Sequence, residues 1–163
     1  MKLTEKLSSL QKGNHKKTVD ALTGQTLYDF TYNDDGFLTK ITDLNELETK
    51  IIRDSDGNAT KIISPYGEET VLQVDEAGDL TKLTVPGGLN WRMEYNSDGL
   101  LTKFTNPRGK SSTFTYNDEG KLERDTNAAN GYKELAKVGN KNNYTVSLKT
   151  AMGRVSKYAV KYE

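Results

Sequence analysis

The chain has no cysteine, one histidine, three prolines and no net charge, since 23 basic residues balance 23 acidic ones across 163 residues. Without cysteine there is no disulfide, no thiolate metal site and no cysteine nucleophile. A single histidine, His15, in a polar N-terminal stretch leaves little material for a catalytic triad or an imidazole metal site, so no enzyme activity and no cofactor are expected. Zero net charge removes the long-range field that nucleic acid or an anionic membrane surface would exploit, and neither partner is expected. No stretch approaches the roughly 20 apolar residues of a membrane span, and Met1 to Lys17 holds no apolar run of signal-peptide length.

What is present argues for folding rather than disorder. Nine tyrosines, four phenylalanines and one tryptophan offer aromatic area to bury, although a hydrophobic content of 34% promises only a thin core. The organising feature is a period. Gly36, Gly57, Gly78, Gly99 and Gly120 follow one another at intervals of 21 residues, and three residues before each stands Asn33, Asp54, Asp75, Asn96 or Asn117. Asn and Asp bond their own backbone two residues on, and glycine accepts positive φ without a Cβ penalty, so these glycines are read as structural turns. Segments rich in β-branched and aromatic residues flank them, as in Ser112 to Tyr116 before a turn and Leu101 to Thr105 after one. The second arm runs into another turn at Ser64-Pro65-Tyr66-Gly67, Val85-Pro86-Gly87-Gly88 or Asn106-Pro107-Arg108-Gly109.

The fold expected is therefore all-β: an antiparallel meander of about six 21-residue hairpin repeats forming a curved or spiralling sheet. Residues 1–25 read as an N-terminal arm or partial repeat, residues 26–131 as five repeats, and residues 132–163 as a degenerate repeat ending in a hairpin that turns at Ala151-Met152-Gly153. Leu3, Leu7 and Leu10 stand at helical spacing, but a loose arm or cap suits that segment better. Six residues before each glycine come Phe30, Ile51, Leu72, Met93 and Phe114, an apolar column. After the glycine, the apolar columns two and five residues on are separated by three, which a regular strand would put on opposite faces. Either both faces are apolar or a bulge realigns them.

Tyr32-Asn33-Asp34-Asp35-Gly36-Phe37-Leu38, Tyr95 to Leu101 and Tyr116-Asn117-Asp118-Glu119-Gly120-Lys121-Leu122, together with the turn Thr105-Asn106-Pro107-Arg108-Gly109, resemble the YD repeat of the RHS-repeat (YD-repeat) family. The resemblance implies a non-catalytic structural segment of a secreted or cell-surface assembly. Its partners would be adjacent repeats of a larger chain, or other copies joined through sheet edges. In larger members such sheets form shells around a C-terminal toxin, released by an aspartate-containing motif; no matching segment follows the repeats here, so self-cleavage is not expected. Strand-like residues running up to Glu163 suggest a piece of a longer repeat protein.

Three surface features invite a ligand. Lys40, Lys61, Lys82, Lys103 and Arg124 form a basic column four residues after each glycine, either a solvated face or a ladder for an acidic polysaccharide. Trp91, in the column of Tyr28, is either core or a sugar-stacking platform. Asp54-Ser55-Asp56-Gly57-Asn58 is similar to a cation loop, but Ile63 stands where a distal carboxylate ligand would be needed, and a turn accounts for the acids.

Overall fold

A computed structural model describes residues 13–161 and the backbone of residues 6–7. Most of the segment carrying Leu3, Leu7 and Leu10 thus lies outside the described residues. Every regular element described is a strand, and the fifteen strands follow chain order in one antiparallel meander. Chain contacts divide into two units. The first, residues 1–74 and 83–89, holds β1 (Lys6–Leu7), β2 (Lys17–Val19), β3 (Thr26–Tyr32), β4 (Leu38–Asp43), β5 (Glu48–Arg53), β6 (Ala59–Ile63) and β7 (Glu69–Val74). The second, residues 75–82 and 90–163, holds β9 (Asn90–Tyr95), β10 (Leu101–Thr105), β11 (Ser111–Tyr116), β12 (Leu122–Thr126), β13 (Tyr132–Gly139), β14 (Asn143–Thr150) and β15 (Val155–Lys161). The division falls within β8 (Leu80–Thr84).

The glycine turns share one hydrogen-bond pattern. The Gly99 N–H donates to Asn96 O at 3.1 Å and the Asn96 N–H to Leu100 O at 3.0 Å, while Asn96 Oδ1 accepts from the N–H groups of Asp98 and Leu100. The five glycines hold φ between 72° and 88°, where any Cβ is penalised. A second series, closing the opposite ends of the strands, repeats the geometry at Asp43–Glu46, Ser64–Gly67, Val85–Gly88, Asn106–Gly109 and Asn127–Asn130. Two of these turns contain neither proline nor glycine. Glu46 and Asn130 fill the left-handed position themselves, at φ 63° and 62°.

The glycine hairpins at Gly36, Gly57, Gly99 and Gly120 each carry a β-bulge just after the turn. In the β3–β4 pair Tyr32 faces Leu38, Thr31 faces Lys40 and Phe30 faces Ile41, which leaves Thr39 unpaired. Thr60, Thr102 and Glu123 are the extra residues in the β5–β6, β9–β10 and β11–β12 pairs. The extra residue shifts the later positions by one, so Leu38 and Ile41 both join Phe30 and Tyr32 on one face. Of the two arrangements open to the apolar columns, the bulge is the one adopted and gathers those columns on one face, although Ile52, Ile63 and Val71 stand on the other with Lys50 and Lys61. The extra threonine adds a bond, since the Thr39, Thr60 and Thr102 hydroxyls donate to the carbonyls of Thr31, Ile52 and Glu94 at 3.2, 3.3 and 3.0 Å.

Among the described residues no apolar side chain is fully buried, and Thr18, at 9% exposure, is the most enclosed side chain of all. Apolar-face positions are half-buried, as in the alternation of exposed and half-buried residues along β7 and β11. Backbone ladders and side-chain bonds to turns therefore carry an unusual share of the stability. Each contributes about 0.5–1.5 kcal/mol net.

Candidate interaction surface

Between successive repeats the strands pair over only three residues, Lys40–Thr42 with Glu48–Lys50, Lys61–Ile63 with Glu69–Val71, and Lys103–Thr105 with Ser111–Thr113. Beyond that they part, and a side chain spans the gap. Tyr95 Oη donates to Leu80 O at 3.0 Å and Tyr116 Oη to Leu101 O at 2.7 Å, each to a carbonyl fifteen residues back. Tyr32 Oη reaches His15 O at 2.7 Å. In the repeat where the column holds Arg53, its Nε donates to Leu38 O at 3.1 Å and its Nη1 to Gly57 O at 2.6 Å, with the guanidinium 5.0 Å from the Phe37 ring centre. Where this column holds tyrosine, the hydroxyl ties its repeat to the one before. Burial, and then the carboxylates of Asp79 and Asp75, push the Tyr95 phenol above its ordinary value.

Glycine turns also receive side chains from the preceding repeat. A Cβ on Gly57 would stand 2.6 Å from the Phe37 ring, and one on Gly120 would sit 3.6 Å from Leu100. Space, as well as φ, thus favours glycine at position 57.

The basic column lies on the polar face and is largely neutralised by glutamates of neighbouring strands. Lys40 pairs with Glu48 at 2.6 Å, Lys61 with Glu69 at 2.8 Å, Lys103 with Glu94 at 2.8 Å and Arg124 with Glu134 at 3.4 Å. Glu48 also reaches Lys50 at 3.4 Å, and its hydrogen bond with Lys40, followed by the Lys40 charge, keeps its carboxyl below the ordinary value. Lys82 occupies the same column in β8 and is half-buried. Trp91 is half-buried in β9, at the parity of Met93 and Tyr95 on the apolar face, whereas Tyr28 is 47% exposed. Asp54 Oδ1 accepts from the N–H groups of Asp56 and Asn58, which commits that carboxylate to its own turn. Among the described residues no three His, Asp or Glu side chains converge on a metal position. His15 stacks edge-on against Phe30, with ring centres 4.8 Å apart, and its Nε2 lies 2.9 Å from Thr18 Oγ1.

The regular seams end at β13. The next residue in the tyrosine column is Lys137, whose Nζ sits 4.0 Å over the Tyr144 ring instead of spanning the seam. An open cleft of about 710 Å³ remains there, between the Asn117–Lys121 turn and Leu135 to Lys141, lined by both signs of charge. Beyond it β13, β14 and β15 pair in unbroken register.

Residues 11–161 match the family described as Teneurin YD-shell. The chain belongs to that family. The YD-repeat resemblance in the sequence and the all-β meander agree with it. Among solved structures, the YD-shell chain is similar to a chain in the Photorhabdus luminescens Tc holotoxin pore carrying the TccC3 D651A mutation, at 14% identity and a TM-score of 0.56. That match covers 90% of this chain and 9% of the other, so the chain spans about a tenth of the protein it resembles, and the likeness speaks for the fold alone. No curated protein matches the chain by sequence.

Proposed function

We propose that this chain is a non-catalytic structural segment of a YD-repeat wall, in which residues 26–131 act as five interchangeable repeats and residues 132–163 as an aberrant one. The observation that carries the reading is where the polar groups go. Tyr116 reaches the Leu101 carbonyl of the preceding repeat, Asn96 serves its own turn, and Lys61 meets Glu69 of the next repeat. Side chains spent on neighbouring repeats build a surface rather than a reaction centre. The family supports an extracellular or secreted setting. Enclosure of a toxin would be a property of a larger protein, and the 14% likeness carries only the fold.

Glutamates beside Lys40, Lys61 and Lys103 weigh against a polyanion ladder, because a bound polysaccharide would have to displace each one. The test is retention on immobilised alginate and heparin at low and high salt, for the chain and for its K40Q/K61Q/K103Q variant. The wall reading expects weak and equal elution of both. Strong low-salt retention of the chain, lost in the variant, would replace it with a polysaccharide-binding module.

A further inference from the structure

The seam before β13 is built like the earlier ones and filled differently. β12 and β13 pair over Arg124–Thr126 and Tyr132–Glu134, three residues as before, and then part. At three earlier seams a side chain crosses the gap to the carbonyl two residues after the turn glycine. Tyr95 donates to Leu80 O, Tyr116 to Leu101 O and Arg53 Nε to Leu38 O, each fifteen residues back. The same step runs from Lys137 to Leu122. Lys137 does not take it, since its Nζ lies 4.0 Å over the Tyr144 ring, on the side of β14. Among the described residues no side chain donates to Leu122 O.

What remains is the cleft of about 710 Å³, and its walls suit one aromatic ring with a polar tip. Half-buried Leu135 supplies an apolar surface, and the methylene stem of Lys137 lines the same opening. Lys121 is held by Glu119 of its own turn. Lys121 and Glu123 both line the cleft and flank Leu122 in the chain, which sets the Leu122 carbonyl in the wall between them. Two kinds of donor reach this place in other repeats, a phenol and a guanidinium. The guanidinium of Arg53 lies 5.0 Å from the Phe37 ring centre, whereas Lys121 stands here in the position of Phe37. A guanidinium would lose its ring and meet an ammonium, so the neutral phenol is the donor that fits.

We infer that the cleft between the Asn117–Lys121 turn and β13 is a binding site for a small phenol. The ligand's hydroxyl donates to the Leu122 carbonyl and its ring lies against Leu135. It takes the place that Tyr95 and Tyr116 take at their own seams, where the fold displays the required geometry twice.

The probe is para-fluorophenol, titrated with the intact chain and followed by fluorine NMR. Its control is para-fluoroanisole, which keeps the ring and the fluorine but caps the hydroxyl as a methyl ether. The phenol is expected to bind roughly fivefold more tightly than the ether, the value of one hydrogen bond. Backbone amide shifts should move at Lys121, Leu122 and Glu123 and at Leu135, Ala136 and Lys137. K137Y gives the chain its own phenol at the fifteen-residue step, and is expected to weaken para-fluorophenol binding by about tenfold or more with the circular dichroism unchanged. Equal affinity for phenol and ether, amide shifts centred away from the cleft, or full phenol binding by folded K137Y would each overturn the inference. Should K137Y fail to fold, the ether comparison and the shift map of the unaltered chain decide it.

Discussion

The hydroxyl of Tyr116 donates a 2.7 Å hydrogen bond to the carbonyl of Leu101, fifteen residues earlier, across a seam where the backbone ladder has already ended. The bond is partly shielded and joins two repeats. Tyr116→Phe should cost about 1 kcal/mol, a fall of roughly 2–4 °C in Tm, with the spectrum of the folded state unchanged. Thermal unfolding checks it.

One repeat lacks the tie. Val74 stands where Tyr95 and Tyr116 stand in later repeats, and the carbonyl it would reach belongs to Ala59. Val74→Tyr should therefore stabilise by about 0.5–1.5 kcal/mol. A loss, measured by urea unfolding, would mean that the gain at this position depends on more than the hydroxyl.

Glu46 holds φ 63° where Gly67, Gly88 and Gly109 hold the equivalent place in later repeats. Glu46→Gly should stabilise by roughly 1 kcal/mol, since relief of the left-handed strain exceeds the entropy that glycine adds to the unfolded chain. The reverse holds at Gly57. Gly57→Ala meets both φ 87° and the Phe37 ring, and should cost more than about 1 kcal/mol, of which F37A in the same chain recovers only the steric part. Paired unfolding curves separate the two.

Stability should fall at both ends of the pH range. The Tyr95 phenol is raised by burial, then by Asp79 and Asp75, so the folded state holds that proton more tightly than the unfolded state. Its contribution is complete below about pH 10 and is lost as pH rises through the folded-state value. Glu48 is lowered, chiefly by Lys40, so its contribution is present above the ordinary 4.5 and disappears as pH falls through the folded-state value. Urea midpoints across pH, for the chain and for Tyr95→Phe and Glu48→Gln, should show the alkaline limb flattened in one variant and the acid limb in the other.

Glycines at a fixed step, preceded by Asn or Asp, make the hairpins legible from residue order alone, because positive φ and an Asx bond leave a clear residue signature. The turns at Asp43–Glu46 and Asn127–Asn130 are harder to see, since Glu46 and Asn130 adopt the same φ without being glycine. The signals for the bulge are the apolar columns three apart and the threonines at 39, 60, 81 and 102. The columns show a conflict, but only the cross-strand register chooses its resolution. The tyrosine column is visible as chemistry but not as a tie, because a hydroxyl's partner fifteen residues away depends on how far neighbouring strands diverge. The lysine column hides its glutamates for the same reason: Glu48 and Glu69 lie eight residues beyond their lysines, across a turn.

A 21-residue step, rather than a buried core, holds this chain together. Deleting residues 58–78 removes one whole step, and deleting residues 58–77 removes one residue fewer. The first variant should fold, with a strand-rich spectrum and a urea m-value reduced by roughly an eighth, in proportion to the chain removed. The second should lose cooperative unfolding, because a one-residue slip turns every later side chain to the wrong face. Equal stability of the two variants, or failure of the 21-residue deletion to fold, would contradict it.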